Sequence, residues 1–236
     1  PPRSPESMLD QRHMDLAASI QKVTEEIMLR MAREVQRQTQ MKNLVLAGGV
    51  ALNCVANGLL LREGPFENIW IQPAAGDAGG ALGAATFVWY HLMGKPRQAN
   101  GHDCQKGSLL GPRYDNEQIG QFLAETAAPH QRYQNESELL VAVAQMMAEG
   151  KIVGWFQGRM EFGPRALGSR SILGDSRNTR MQSRMNLKIK FRESFRPFAP
   201  SVLRERTSEY FQLDPDKESP YMLLVASLQQ SKRINC

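Results

Sequence analysis

The sequence predicts an α/β fold in two parts, because strand patterns, glycine turns and helix patterns follow one another along the chain. Near the amino end a short apolar stretch twice runs into a glycine turn and then a helix, across residues 43–62 and 68–91. That order is typical of α/β proteins. Residues 96–111 are rich in Gly, Pro, Asn, Lys and Ser without a hydrophobic period. We interpret them as a linker between one domain at 1–95 and a second at 112–236.

The first part opens with a long helix, predicted to run to about Gln40 and to pack on a sheet. Its apolar residues recur at steps of three and four, which is the period of an amphipathic helix. The stripe consists of Leu16, Ile20, Val23, Ile27 and Met31. The elements predicted after it are a strand at 43–47, a helix at 50–62, a strand at 68–72 and a helix at 78–91.

The second part is also predicted to mix helices and strands, as α/β or α+β. Its predicted elements are helices at 117–126, 137–149 and 178–189, strands at 152–156 and 171–173, and a final apolar strand at 221–226.

The positive charge of the chain is concentrated in one segment. The net charge is +5, but residues 151–206 hold thirteen Lys or Arg against four Asp or Glu. Such a field indicates an anionic ligand or partner. Nucleic acid is disfavoured, because single-strand binders interleave exposed aromatic residues for stacking. Two of the four phenylalanines here stand next to Gly or Pro, and we interpret all four as packing residues: Phe162, Phe191, Phe195 and Phe198.

Several classes of protein are excluded by composition. No stretch approaches the roughly 18 apolar residues of a membrane span, so we expect no membrane association. Three separated cysteines without a Cys-x-x-Cys pair indicate a reducing, cytoplasmic setting, and the four scattered histidines show no zinc-ligand spacing. The amino end has neither an apolar core nor an initiator Met, so we expect a trimmed chain rather than a signal peptide.

The segment 158–171, GRMEFGPRALGSRS, is the most informative in the chain. Arg159, Arg165 and Arg170, with the hydroxyls of Ser169 and Ser171, stand on a backbone broken by glycine and proline. The arginine fork matches phosphate oxygens two at a time, and a rigid loop keeps such forks convergent. This predicts a phosphate pocket; the alternative is a solvated basic turn.

A second basic strip lies at 188–201 and carries Lys188, Lys190, Arg192 and Arg196. Its prolines indicate a rigid course, and neighbouring cations repel one another unless an anion sits between them. We therefore predict a ligand shared with the arginine loop, with a solvated helix end as the alternative. We expect the carboxylates of Glu161 and Glu193 to orient arginines.

Two glycine elements each join a strand to the start of a helix, where main-chain N–H groups can approach a phosphate. The first element runs from Gly48 to Asn53 and the second from Gly76 to Ala81, and both are predicted to bind phosphate. Tight packing of helix on sheet is the alternative. The carboxylate of Asp77 is suited to a divalent cation or a reacting hydroxyl, or else to capping the helix that follows.

Four segments in order resemble the NodU/CmcH-type O-carbamoyltransferases: GGVALNCVANG, QPAAGDAGGALGAA, GRMEFGPRALGSRSIL and IKFRESFRPFAPSVL. Members of that family are bipartite, with an ASKHA-like domain followed by a YrdC-like domain. The resemblance implies that this chain holds the end of the first and much of the second. The metal-binding histidines and the acceptor pocket would then lie outside the chain.

The resemblance also implies the chemistry. Carbamoyl phosphate and ATP would form carbamoyladenylate in the YrdC-like domain, and the carbamoyl group would pass to a hydroxyl of a small-molecule acceptor. Catalytic roles fall on Arg159, Arg165 and Arg170. The residues implied to bind carbamoyl phosphate or the adenylate are Arg159, Glu161, Arg165, Ser169, Arg170, Ser171, Lys188, Lys190, Arg192 and Arg196. The residues that the resemblance implies for the nucleotide and transfer site are Gly48, Gly49, Asn53, Gly76, Asp77, Gly79 and Gly80. Asp77 matches an iron ligand of the family, and ATP would bring magnesium.

Two alternative activities stay open at this point, besides a fragment that folds but does no chemistry. One is a hydrogenase-maturation-type carbamoyltransferase, which shares both domain types. The other is a basic RNA-binding module, since YrdC-like proteins act on tRNA.

Overall fold

A computed structural model describes residues 3–4, 6–98, 103–213 and 218–234. Its helices are α1 (Gln11–Thr39), α2 (Cys54–Glu63), α3 (Asp77–Phe87), α4 (Asn116–Glu125), α5 (Glu136–Ala148), α6 (Met181–Arg184) and α7 (Thr207–Tyr210). Its strands are β1 (Asn43–Leu46), β2 (Asn68–Ile71), β3 (Val153–Phe156) and β4 (Arg170–Leu173). The predicted α/β class is confirmed.

The first part is built on a parallel β-α-β unit, whose two strands and helix the sequence predicts. β1 and β2 pair in parallel from Asn43↔Asn68 to Leu46↔Ile71, and α2 connects them. A 3₁₀ turn at Gly49–Leu52 precedes α2, and a π-helical turn at Val88–Leu92 extends α3. The predicted strands and helices of this part are therefore present, with shifted ends.

The long helix α1 packs through a different face from the one predicted. Ala32 is buried with Leu60 of α2 and Phe66, and Met28 and Leu29 pack against them. The predicted stripe, Leu16 to Met31, is instead between 50% and 65% exposed. Periodicity shows that a helix has apolar faces, but contacts with other elements decide which face is buried. Side chains of β1 and β2 join the same cluster, so the helix does pack on the sheet.

The second part contains an antiparallel hairpin whose connection is the arginine loop. β3 and β4 pair from Val153↔Leu173 to Phe156↔Arg170. α4 and α5 are capped by Asp115 and Asn135, whose side chains accept N–H bonds from the third residue of each helix. The predicted helix at 178–189 is present as α6 followed by a π-helical turn at Met185–Ile189.

The predicted strand at 221–226 is wrong. These residues form no strand ladder, and the nearest pairing is an isolated bridge between Phe211 and Leu228. Tyr221 and Leu223 are nevertheless buried. The apolar run reflects burial in the core, which an extended segment can reach without a sheet partner.

Part of the predicted linker contacts the arginine loop. Ser108 is buried, and its carbonyl accepts the Phe162 N–H at 2.6 Å, while the Gly111 N–H donates to Met160 at 2.9 Å. Residues 99–102 of the linker lie outside the described residues. The division into 1–95 and 112–236 stays a prediction.

One core cluster joins distant parts of the chain. Ala51, Ile71 and Ala75 pack with Tyr221 and Leu223. Leu167 of the arginine loop packs against the same cluster. The loop is therefore anchored beside the glycine turns. Within the described ranges, no helix is long and apolar enough to cross a membrane.

Candidate anion-binding site

Glu161 organises the main chain of the arginine loop. Its Oε1 accepts the N–H groups of Leu167 and Ser169, each at 2.7 Å, and of Arg170 at 3.2 Å. The residue is 6% exposed. Burial alone raises the pKa of this carboxyl, but the main-chain donors outweigh burial and hold the pKa below its usual value. Among the described residues Glu161 bonds to main-chain N–H groups and to no guanidinium, so the expectation that it orients arginine side chains stays a prediction.

This arrangement limits how an external anion can bind. The Gly168 N–H donates to the Ser171 hydroxyl at 2.9 Å, so four main-chain donors of the loop, with those bound by Glu161, already have partners inside the protein. A phosphate at this loop would be held by side chains rather than by a backbone nest.

The guanidinium of Arg170 bonds to the arginine loop itself and to the strand end before it. Its guanidinium donates to the carbonyls of Gln157 and Ser169 at 2.8 Å and of Gly158 at 3.2 Å. It also stacks 3.4 Å from the ring centroid of Phe156. Arg170 therefore closes the hairpin end and has few donors left for a ligand.

Arg159 and Arg165 are less constrained. Arg159 is exposed, and its main chain forms an isolated antiparallel bridge with Arg113. Arg165 reaches across to the first part, where its Nη2 donates to the Leu52 carbonyl at 3.4 Å. Its Nε is buried without a hydrogen-bond partner among the described residues. A buried unpaired donor is costly, and an anionic ligand would satisfy it.

The arginine loop and the glycine turns are predicted from the sequence as two separate sites. In the structure they lie against each other. A Cβ on Gly163 would be 3.3 Å from the Ala74 side chain. Gly48, with φ of +98°, donates its N–H to the Ala75 carbonyl at 2.8 Å. The Arg165 side chain and both glycine turns thus meet at one place.

The individual residues of the glycine turns have different roles. A Cβ on Gly79 would lie 2.0 Å from the Ala74 carbonyl oxygen, so tight packing accounts for this glycine. Gly49 and Gly80 have open space where a Cβ would be. Asn53 caps α2 by accepting the Ala56 N–H at 3.1 Å. Open glycines are the ones that leave backbone accessible to a ligand.

Asp77 is the first residue of α3, is exposed, and follows Gly76 at the cap position. It does not cap the helix, so that alternative is not what the structure shows. No group of three or more His, Cys, Asp or Glu that could hold a metal is found in the described part of the chain. A single carboxylate does not define a metal site. We assign no step to a metal, and the iron and magnesium assignments stay predictions.

The second basic strip is held by an uncharged residue that sequence reasoning missed. Asn186 is 0% exposed and hydrogen-bonds to Arg192 and to the carbonyls of Ser194 and Arg196. The only signal in the sequence is an amide within an amphipathic helical pattern. Lys188, Lys190 and Arg196 are exposed. Phe191 and Phe195 are exposed too, so the prediction that these two are packing residues is wrong.

Glu193 pairs with Arg3 rather than with an arginine of the strip. The hydrogen bond from Arg3 holds the pKa of the Glu193 carboxyl below its usual value.

Fold and site together define an α/β protein with an arginine-bearing loop placed against glycine turns. Family models described as the amino terminus and the carboxy terminus of carbamoyltransferases match residues 3–86 and 144–236. The chain belongs to the NodU/CmcH-type carbamoyltransferase family, as the four motifs predict.

The relatives found include three that show the range of similarity. An uncharacterized protein of Synechocystis is 59% identical over 99% of this chain and 38% of its own length. Nodulation protein NolO of Bradyrhizobium diazoefficiens is 43% identical over 94% of this chain and 40% of its own. The 3'-hydroxymethylcephem-O-carbamoyltransferase of Streptomyces clavuligerus is 30% identical over 81% of this chain and 33% of its own. The chain thus spans 33% to 40% of the length of these three relatives.

Proposed function

We propose that this chain is part of an ATP-dependent O-carbamoyltransferase that makes carbamoyladenylate and passes the carbamoyl group to a hydroxyl of a small molecule. In this scheme water first releases phosphate from carbamoyl phosphate to give carbamate. A carbamate oxygen then attacks the α-phosphorus of ATP and pyrophosphate leaves. The acceptor hydroxyl finally attacks the carbamoyl carbon, AMP leaves, and the hydroxyl proton passes to solvent.

The observation that carries this proposal is the position of Arg165. Its guanidinium bridges the arginine loop and the glycine turn, and it keeps a buried donor without a partner among the described residues. The reaction gathers several phosphate charges, and fixed cations offset their repulsion and stabilise leaving pyrophosphate. Arg165 and the exposed Arg159 would contact these charges, while Arg170 and Glu161 maintain the loop.

Each part of the chain has a proposed role in the scheme. Residues 1–95 would belong to the ASKHA-like transfer domain and 112–236 to the YrdC-like, adenylate-forming domain. The match of separate amino-terminal and carboxy-terminal family models on either side of the linker supports that division. The substrates are cytoplasmic metabolites, so we propose that location.

The test is calorimetric titration of the chain with carbamoyl phosphate, with ATP, and with both. We expect saturable binding that weakens about tenfold or more in Arg165→Gln, because losing a charged hydrogen bond removes roughly 1.5–3 kcal/mol. The matched control is Arg177→Gln, in the same basic segment but paired with Asp175 at the surface. Control and wild type should bind alike.

Two results would contradict the proposal. One is the absence of binding by a folded chain, and the other is equal binding by Arg165→Gln and the wild type. Titration with a tRNA at two salt concentrations tests the alternative of an RNA-binding module, since nucleic-acid affinity falls steeply with salt.

A further inference from the structure

We infer that Asn186 is a positioning residue that presents the guanidinium of Arg192 to the phosphate of a small anionic ligand. This inference rests on the proposed function, because it names a second contact for the same phosphorylated substrate. It assigns different roles to the cations of the basic strip.

The hydrogen bonds of Asn186 all point to the strip. Its Nδ2 donates to the carbonyls of Ser194 at 2.9 Å and Arg196 at 2.8 Å. Its Oδ1 accepts from Nε of Arg192 at 2.6 Å, and its main-chain carbonyl accepts the Arg192 N–H at 3.0 Å. Both polar atoms of the carboxamide therefore have partners, and a fully buried side chain fixes three residues of an irregular segment.

Arg192 is held on two sides. Its Nε is taken by Asn186, and its guanidinium carbon lies 4.9 Å from the ring centroid of Phe198. Within the described part of the chain its two terminal nitrogens make no hydrogen bond. Those nitrogens form the edge of the fork that suits two oxygens of a phosphate.

The other cations of the strip lack this support. Lys188, Lys190 and Arg196 are exposed, so ordering their side chains would cost conformational entropy on binding. A preorganised arginine binds more tightly for the same contacts. Arg192 is therefore the phosphate contact of the strip, and the other cations attract the anionic ligand over a longer distance.

The direct test is chemical labelling of arginines by phenylglyoxal, located by mass spectrometry, with and without carbamoyl phosphate. We expect carbamoyl phosphate to protect Arg192. Arg206 is the internal control, because it is also an arginine beside an aromatic ring, but is paired with Glu209. Arg206 should react equally in both conditions.

A double-mutant cycle tests whether Asn186 acts through Arg192. Asn186→Leu and Arg192→Lys should each raise the Kd for carbamoyl phosphate about tenfold, and the double variant should be no weaker than either. A purely structural role for Asn186 would give additive losses. If Asn186→Leu fails to fold by circular dichroism, Asn186→Ala replaces it in the cycle, with the same expected and contradicting results.

The outcomes separate the two proposals. Absence of carbamoyl phosphate binding by the folded wild type overturns the proposed function. Wild-type binding with an unprotected Arg192, or with an unchanged Kd in Arg192→Lys, overturns the role of Arg192 and leaves the proposed function standing. Additive losses in the cycle overturn the role of Asn186.

Discussion

The carboxylate of Glu161 accepts the main-chain N–H of Ser169 at 2.7 Å and thereby closes the arginine loop on itself. The same oxygen bonds to Leu167 and Arg170, so one buried charge replaces an external anion in shaping the loop. The shape of the loop is thus set by an internal partner.

Replacing Glu161 by Ala should lower the free energy of unfolding by about 2–3 kcal/mol at pH 7, because three main-chain donors lose a charged acceptor. Urea denaturation monitored by circular dichroism measures this. The control is Glu209→Gln, whose carboxylate forms a surface pair with Arg206 and should leave stability close to that of the wild type. Equal stability of Glu161→Ala and the wild type would contradict the role of Glu161.

The contribution of Glu161 should also depend on pH. The pKa of its carboxyl is lowered in the folded state, so the stabilisation is complete above the unfolded value of about 4.3 and is lost as pH falls through the folded pKa. Urea curves of the wild type and Glu161→Ala should therefore converge as the solution is acidified below about pH 4. A difference in stability that stays constant with pH would show that the carboxylate charge is not responsible.

Two neighbouring glycines of α3 should respond oppositely to alanine. Gly79→Ala should destabilise the chain by about 1–3 kcal/mol, because its Cβ would overlap the Ala74 carbonyl oxygen. Gly80→Ala meets open space and should stabilise by up to about 1 kcal/mol through helix propensity. Thermal unfolding of both variants checks this, and an equal change in both would contradict the packing.

The phenol of Tyr221 should ionise at a higher pH than an exposed tyrosine. Burial, together with the hydrogen bond to Asp103, raises the pKa of its phenol to about 12. Its stabilisation is therefore present below the unfolded pKa of about 10 and is lost as pH rises towards 12. Phenolate absorbance after a rapid pH jump should show a late component in the wild type that Tyr221→Phe lacks. Identical titration curves would show that the phenol is not buried.

The free energies of unfolding of two variants should show which face of α1 is packed. Leu60→Ala should cost about 2–5 kcal/mol, because Leu60 is 1% exposed in the cluster beneath α1. Leu16→Ala, at a residue 61% exposed, should change stability by less than about 0.5 kcal/mol. Chemical denaturation of both compares them directly, and a large cost for Leu16→Ala would restore the face that periodicity predicts.

Local patterns account for most of the elements. The strands and the helix of the β-α-β unit, the two strands of the hairpin at 153–173 and the longer helices of both parts follow from apolar periods, caps and glycine turns, which act over a few residues. The pairing of the strands does not follow from these local patterns. The motifs also identified the family. The strand at 221–226 was wrongly predicted, because a buried segment without a sheet partner can have the same apolar pattern as a strand.

By itself the sequence determined the α/β class, the family and the residue types of the arginine loop, because these depend on order and composition along the chain. Tertiary structure alone decided that Glu161 binds backbone, that Arg165 reaches the first glycine turn, and that Asn186 holds Arg192. These contacts join residues through space, and a carboxylate or amide has the same local pattern whatever partner the fold brings to it.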